Sequence, residues 1–306
     1  MEEEIQRSLE RVGGRALFRD DPAYPFALLA LSRVPSVAYV SGDWNHEGPK
    51  VALVGSRDAS DDGVDVARGL ASALARRGVA VLSGLARGVD AAAHRGALDA
   101  GGKTGAVLGT PLDQCYPLEH RDLQREVAAS LGLLTEHPPG APVTAGTFAT
   151  RNRLLAALAD AVVVVQGRAK SGARLTAEAA RRLGKPVGAV PWDCRDPLGE
   201  SPHALIRSRA ATLVRGVDDV LELLGVASRG RASTSRPVLP FPPAHPVGGG
   251  EERLWRALRE RPRPLDAVAR EAEITIAEAS AALSRLELAG RARREPGGDV
   301  RRVGRS

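Results

Sequence analysis

The sequence predicts an α/β protein, a mostly parallel sheet with helices on both faces, followed by a small C-terminal winged-helix domain. Three observations carry this. Short β-branched runs alternate with alanine- and leucine-rich stretches of helical spacing through residues 51–225. The strand candidates hold few polar residues, as strands buried on both faces do. After a stretch without periodicity, three short helical patterns end in a basic alternating segment.

Residues 1–50 hold scattered aromatic and proline anchors (Tyr24, Pro25, Phe26, Pro35, Tyr39) and read as an extended lead-in laid on the sheet domain. Strands are expected at 51–54, 79–82, 105–108, 133–135, 162–165 and 187–190, with helices at 64–76, 91–100 and 176–183. In "AGTFATRNRLLAALADAVVVV" (145–165), an apolar-periodic helix around 154–158 runs into a valine strand. That helix is expected to start at 150–153, which would put Arg151 and Arg153 at a partially positive helix end. The mismatch is a few tenths of a kcal/mol each, and a bound anion would relieve it. Residues 226–250, rich in Pro, Gly and Ser, read as a flexible linker. In the 251–306 domain, helices are expected at 251–261, 265–271 and 275–288, the last opened by a Thr275/Glu278 capping box. "GRARREPGGDVRRVGRS" then alternates about a Pro-Gly-Gly-Asp turn like a β-hairpin, completing a winged helix.

The chain has 306 residues, 43% of them hydrophobic, enough for one large or two unequal domains. It has no run of 18 apolar residues and starts acidic where a signal peptide would be basic, so a soluble cytoplasmic protein is expected, with no membrane partner. Cys115 and Cys194 are too few and too isolated for a disulfide framework or a zinc site. The formal charge is +6, yet residues 1–225 are balanced, with 27 basic and 27 acidic side chains. Residues 226–306 carry the excess, 16 basic against 10 acidic. A basic tail suggests nucleic acid, while a balanced body can still bind it through a local patch.

Odd residues gather after the strands, where open α/β sheets bind ligands. "VALVGSRDAS" has Gly55 but no G-x-G-x-x-G, and Ser83-Gly84 stands where a ribose-binding acid would end the second strand, so no NAD or FAD is expected. Helix amides, the hydroxyls of Ser56 and Ser60, and Arg57 could still hold phosphate, unless Arg57 pairs with Asp58 or Asp61. "SGLARG" adds Gly84 and Arg87 to this edge. "AGGKTG" fails as a P-loop: Ala97 replaces the first glycine, and a strand follows the segment instead of preceding it. Asp90 and His94, at i and i+4, suit buried hydrogen bonds better than a metal lacking a third ligand. Lys170, Ser171 and Gly172 precede a helix carrying Thr176, a second anion site. The edge is rich in donors and poor in general bases, so no catalytic residue and no cofactor are expected. Phe148, just before Arg151, Asn152 and Arg153, pairs a stacking ring with cations, which suits a single strand. The alternative buries Phe148 in the core and leaves the arginines a solvated turn.

The ordered set VALVGSRDAS, LSGLARGVDAAAH, AVLGTPLDQCYP, F-A-T-RNRLLAAL, SGARLTAEAA and HALI resembles the DprA/Smf family of bacterial DNA-processing proteins over residues 22–225. Residues 251–306 resemble the winged helix that many members append. The resemblance implies a Rossmann-like domain that binds single-stranded DNA, forms a homodimer, and loads the RecA recombinase in natural transformation. It maps binding roles onto Arg57, Phe148, Arg151, Asn152, Arg153, Ser171, Gly172 and Thr176. It places a dimer surface near 176–183 and Leu205–Ile206, an exposed pair that would otherwise be an unexplained apolar patch. Leu118, His120, Ala149 and Ala145 depart from the family's usual residues and make the pocket less positive.

Single-strand binding with RecA loading is therefore the leading expectation. A mononucleotide hydrolase is the alternative, opposed by the missing PGG-x-GT loop; a winged-helix transcription factor is opposed by Phe148 and the RNR segment. The third tail helix offers Ser280, Ser284 and Arg285 but no planar base reader, so the tail is expected to add non-specific grip or a protein contact.

Overall fold

The first 50 residues are not an extended lead-in. Glu2–Arg11 forms helix α1, whose first turn carries glutamates that suit a helix N-terminus, with Leu9 fully buried and Ile5 packed beside it. Two apolar positions are too few to announce a helix by periodicity. Strands β1 (Gly14–Phe18) and β2 (Val37–Gly42) then pair antiparallel, Phe18 opposite Val37. The computed structural model describes residues 2–42, 44, 46–226, 250–259, 261–295 and 298–303. Apart from residues 226 and 250, the expected linker lies outside these residues.

The body follows as β3 (Lys50–Val54), α2 (Asp61–Arg76), β4 (Ala80–Ser83), α3 (Val89–Asp99), β5 (Thr104–Val107), α4 (Arg121–Ser130) and β6 (Gly132–Thr135). Then come α5 (Ala145–Leu158), β7 (Ala161–Val164), α6 (Gly172–Arg182), β8 (Val187–Ala189), α7 (Glu200–Arg207), β9 (Thr212–Leu213) and α8 (Val217–Leu223). The nine strands lie in the order β1-β2-β6-β5-β4-β3-β7-β8-β9. From β6 to β9 every pairing is parallel; only the β1 and β2 pairings are antiparallel. This is the mostly parallel, Rossmann-like sheet with helices on both faces. Side-chain alternation decides what each face packs. Ala52, Val54, Val162 and Val164 join the layer of α5 and α6, whereas Val51, Leu53, Ala161 and Val163 join that of α2, α3 and α8.

A second compact unit contains α9 (Gly250–Ala257), β10 (Arg263–Pro264), α10 (Leu265–Glu271), α11 (Ile276–Leu288), β11 (Ala292–Arg294) and β12 (Asp299–Arg302). Its three-stranded sheet and its core around Leu254, Val268, Leu283 and Val300 make the expected winged helix. The capping box is present: Thr275 Oγ1 accepts from Glu278 N at 3.2 Å, and Thr275 N donates to Glu278 Oε2 at 2.9 Å. The first tail helix ends at Ala257, before the expected 261. Among the described residues, no helix is long and apolar enough to cross a membrane.

Candidate nucleic-acid interface

Chain order runs outward from β3 through β4, β5 and β6, then returns to β3's other side with β7, β8 and β9. Loops therefore diverge at the carboxyl ends of β3 and β7, which opens a crevice at this switch point. A cavity of about 500 Å³ lies there, walled by Ser56 and Arg57 after β3, by Arg168, Lys170 and Ser171 after β7, and by Phe148 and Asn152 on α5.

Helix α5 begins at Ala145, more than a turn before the expected start. Thr144 is its N-cap; Thr147 Oγ1 accepts from Thr144 N at 3.4 Å and donates to Thr144 O at 2.8 Å. Ala-Gly-Thr-Phe-Ala shows little apolar period, which hid this first turn. Arg151 and Arg153 thus lie in the helix body, and no charge mismatch exists at its end. At about 100° per residue, Phe148, Arg151, Asn152 and Leu155 share one face and Arg153 points elsewhere.

Phe148 lies outside the core clusters and is half-buried at the cavity mouth. Its ring sits against Gly109, where a Cβ would come within 2.7 Å of Phe148 Cδ1. The Tyr116 ring is 5.1 Å away, tilted by 50°, and the Arg57 guanidinium lies 5.4 Å from the Phe148 centroid. Arg57 is exposed and makes no ion pair with Asp58 or Asp61; among the described residues Arg168 and Lys170 also lack one.

The other arginines of the RNR segment have different work. Arg151 is 4% exposed, and its Nη1 donates to Val107 O at 3.0 Å. Gly84 admits it: a Cβ there would stand 1.4 Å from Arg151 Nη1. Asp90, also buried, accepts from Gly84 N at 3.1 Å and Ala86 N at 3.3 Å. Burial pushes the Asp90 pKa up, opposed by the Arg151 charge and these amides; burial pulls the Arg151 pKa down, opposed by Asp90. Arg151 thus lines the cavity as a buried strut, and Gly84, which is not among the walls, packs against its guanidinium, a correction to their expected place on the binding surface. Arg153 is corrected too. It turns to the lead-in, donating to Arg33 O at 2.8 Å and pairing with Glu136.

The two anion sites fare differently. Ser60 caps α2, accepting from Gly63 N at 3.2 Å and from Gln166 Nε2 at 2.8 Å, and Asp61 and Asp62 already answer that helix's dipole. The Ser60 end of the first site is therefore occupied by the protein itself. Gln166, fully buried, is the clamp that sequence reasoning missed. The α6 start keeps its positive end: its first turn has no acid, Ser171 makes no cap hydrogen bond, and the buried Ser171 Oγ has no partner among the described residues. Asn152 Nδ2 donates to Gly172 O at 3.3 Å, tying α5 to this turn. Thr176, 1% exposed, supports the turn from within. Arg87 stands outside the cavity and is held by Glu119 at 2.5 Å.

Asp90 and His94 go to separate hydrogen bonds. Thr104 Oγ1 donates to Val81 O at 2.7 Å, so the 2.7 Å contact with His94 Nδ1 requires the imidazole to donate. Leu205 is 5% exposed within the core, and Ile206 packs partly buried against it. The expected exposed pair therefore does not exist: α7 turns Leu205 inward.

Comparison with known proteins adds to this geometry. Residues 15–225 match the family model described as DNA recombination-mediator protein A, and residues 239–298 match the DprA winged helix domain. The chain is 37% identical over 297 residues to a putative DNA processing protein DprA of Mycobacterium tuberculosis, covering 92% of this chain and 75% of that one. It is 34% identical over 295 residues to the protein Smf of Escherichia coli, covering 96% and 79%. Among solved structures, DprA from Streptococcus pneumoniae matches at a TM-score of 0.67 and 33% identity, covering 72% of this chain and 77% of that one. DprA from Helicobacter pylori, whose structure concerns its single-stranded DNA binding mode, matches at 0.62 and 27%, covering 69% and 95%.

Proposed function

The chain belongs to the DNA recombination-mediator protein A family, DprA/Smf, and from that premise we propose that its sheet unit binds single-stranded DNA across the switch-point cavity. The observation that carries this is the joining of Arg57, Arg168 and Lys170, cations without an ion pair among the described residues, with an uncapped helix start and a partly exposed ring, Phe148. Phosphates take the donors at both ends, and a base stacks on Phe148. The reading is non-enzymatic. The carboxylates of the cavity wall are Asp58, at its rim, and Asp90, which is spent on Gly84, Ala86 and Arg151. The bound strand is then shielded and passed to the RecA recombinase during natural transformation, by a homodimer in the cytoplasm. The winged helix adds sequence-independent grip, since Arg285 on α11 is already held by Glu251 at 2.9 Å.

Fluorescence anisotropy with labelled oligo-dT and duplex over a salt series tests the binding reading, with a nucleotide-turnover assay alongside. Single strands should bind more tightly than duplex, and Arg57→Ala should flatten the log–log salt slope by about 0.7. Equal affinity for one duplex sequence, or turnover of a mononucleotide, would overturn it. Whether the protein speeds RecA assembly on a coated strand tests the loading step separately.

A further inference from the structure

We propose that Tyr116 is a second base-stacking residue, which carries the strand out of the cavity toward the end of β5; this rests on single-strand binding at Phe148. Tyr116 is 54% exposed, whereas Tyr24 is 5% exposed and Tyr39 is half-buried. It lies on the loop between β5 and α4, 5.1 Å from the Phe148 ring, and the 50° tilt fans the two rings apart so that Tyr116 keeps an open face. Phe148 cannot retreat to close that gap, because Gly109 already backs it.

The loop is pinned on both sides of the ring. Upstream, Thr110 Oγ1 donates to Gln114 O at 3.2 Å and Gln124 Nε2 to the same oxygen at 3.3 Å. Downstream, Glu119 holds Arg87, and the 2.9 Å contact between His120 Nδ1 and Leu85 O anchors the loop to the one after β4. A ring held this way loses little conformational freedom when a base stacks on it. The path is also long enough for more than one nucleotide. From β5 to β7 the edge crosses three strand spacings, about 14 Å in all. The ring sits at one end of this edge and the α6 amides at the other, with Arg57 and Phe148 between them. Any base has an aromatic face, so such a site takes a nucleobase without sequence preference.

The test uses the full chain with Tyr116→Ala and Tyr116→Phe, titrated against oligo-dT and against an abasic strand of equal length. Tyr116→Ala should weaken dT binding roughly five- to a hundredfold, the worth of one base–aromatic stack, without changing the salt slope. Tyr116→Phe should stay within about twofold of the parent, and on the abasic strand all three proteins should bind alike. Tyr116→Ala binding dT like the parent while Phe148→Ala does not would overturn the role of Tyr116 and leave the cavity reading standing. So would an equal loss in Tyr116→Phe, or a loss that persists on the abasic strand. If the parent chain itself ignored oligo-dT, both readings would fall.

Discussion

Replacing Arg151 by methionine separates a buried strut from a phosphate contact. The substitution keeps most of the side-chain volume but removes the bond to Val107 O and strands the buried Asp90 carboxylate. Leaving the buried Val107 carbonyl without its partner costs about 1–3 kcal/mol. For a domain of this size each kcal/mol shifts Tm by roughly 2–4 °C, so a fall of roughly 2–12 °C is expected by calorimetry. The salt slope of oligo-dT binding, measured below the transition, should not change, because no phosphate contact is lost. Asp90→Asn in the same background should recover part of the loss by removing the stranded charge. A Tm within 2 °C of the parent, together with a salt slope flattened by about 0.7, would refute the buried-strut reasoning and return Arg151 to the binding surface.

Gly84→Ala should resemble Arg151→Met, since its Cβ would overlap the guanidinium 1.4 Å away; unchanged melting would contradict that packing. Phe148→Ala should cost roughly 1–3 kcal/mol of oligo-dT affinity with a constant salt slope, and loss of the fold would instead show the ring to be a core residue. His94 carries a pH dependence. Burial lowers its pKa from 6.5 to about 3, so between those values the unfolded chain binds a proton that the folded chain refuses. Stability from this group therefore falls as pH drops through that window, by about 1.4 kcal/mol per unit. His94→Gln should show a shallower decline of Tm between pH 6.5 and 4, and parallel curves for the two proteins would contradict this.

Much of the sheet could be read because its central strands are buried on both faces. The apolar runs at 51–54, 162–165 and 187–190 announce β3, β7 and β8 to within a residue. The antiparallel pair β1–β2 could not, because it lies at the sheet edge and alternates only weakly. In the site, residue types pointed to the right loops but not to the side-chain directions. Arg151, Asn152 and Arg153 look alike as a basic cluster, yet the helical phase set by Thr144 buries the first, ties the second to α6 and sends the third to Glu136. Likewise "GSRDAS" could not reveal that Gln166, 106 residues from Ser60, would occupy the Ser60 hydroxyl. Tyr116 was visible only as a letter in a loop, because its meeting with Phe148 depends on β5 and α5 converging.

Ultraviolet crosslinking of the full chain to a thymine-only strand, followed by peptide mapping, tests most directly whether the switch-point cavity holds single-stranded DNA. The adducts should fall on the peptide containing Phe148, with a second set on that containing Tyr116, and should disappear from the first in Phe148→Ala. Adducts confined to residues 250–303, with none on either loop of the sheet unit, would contradict the assignment of strand binding to the cavity.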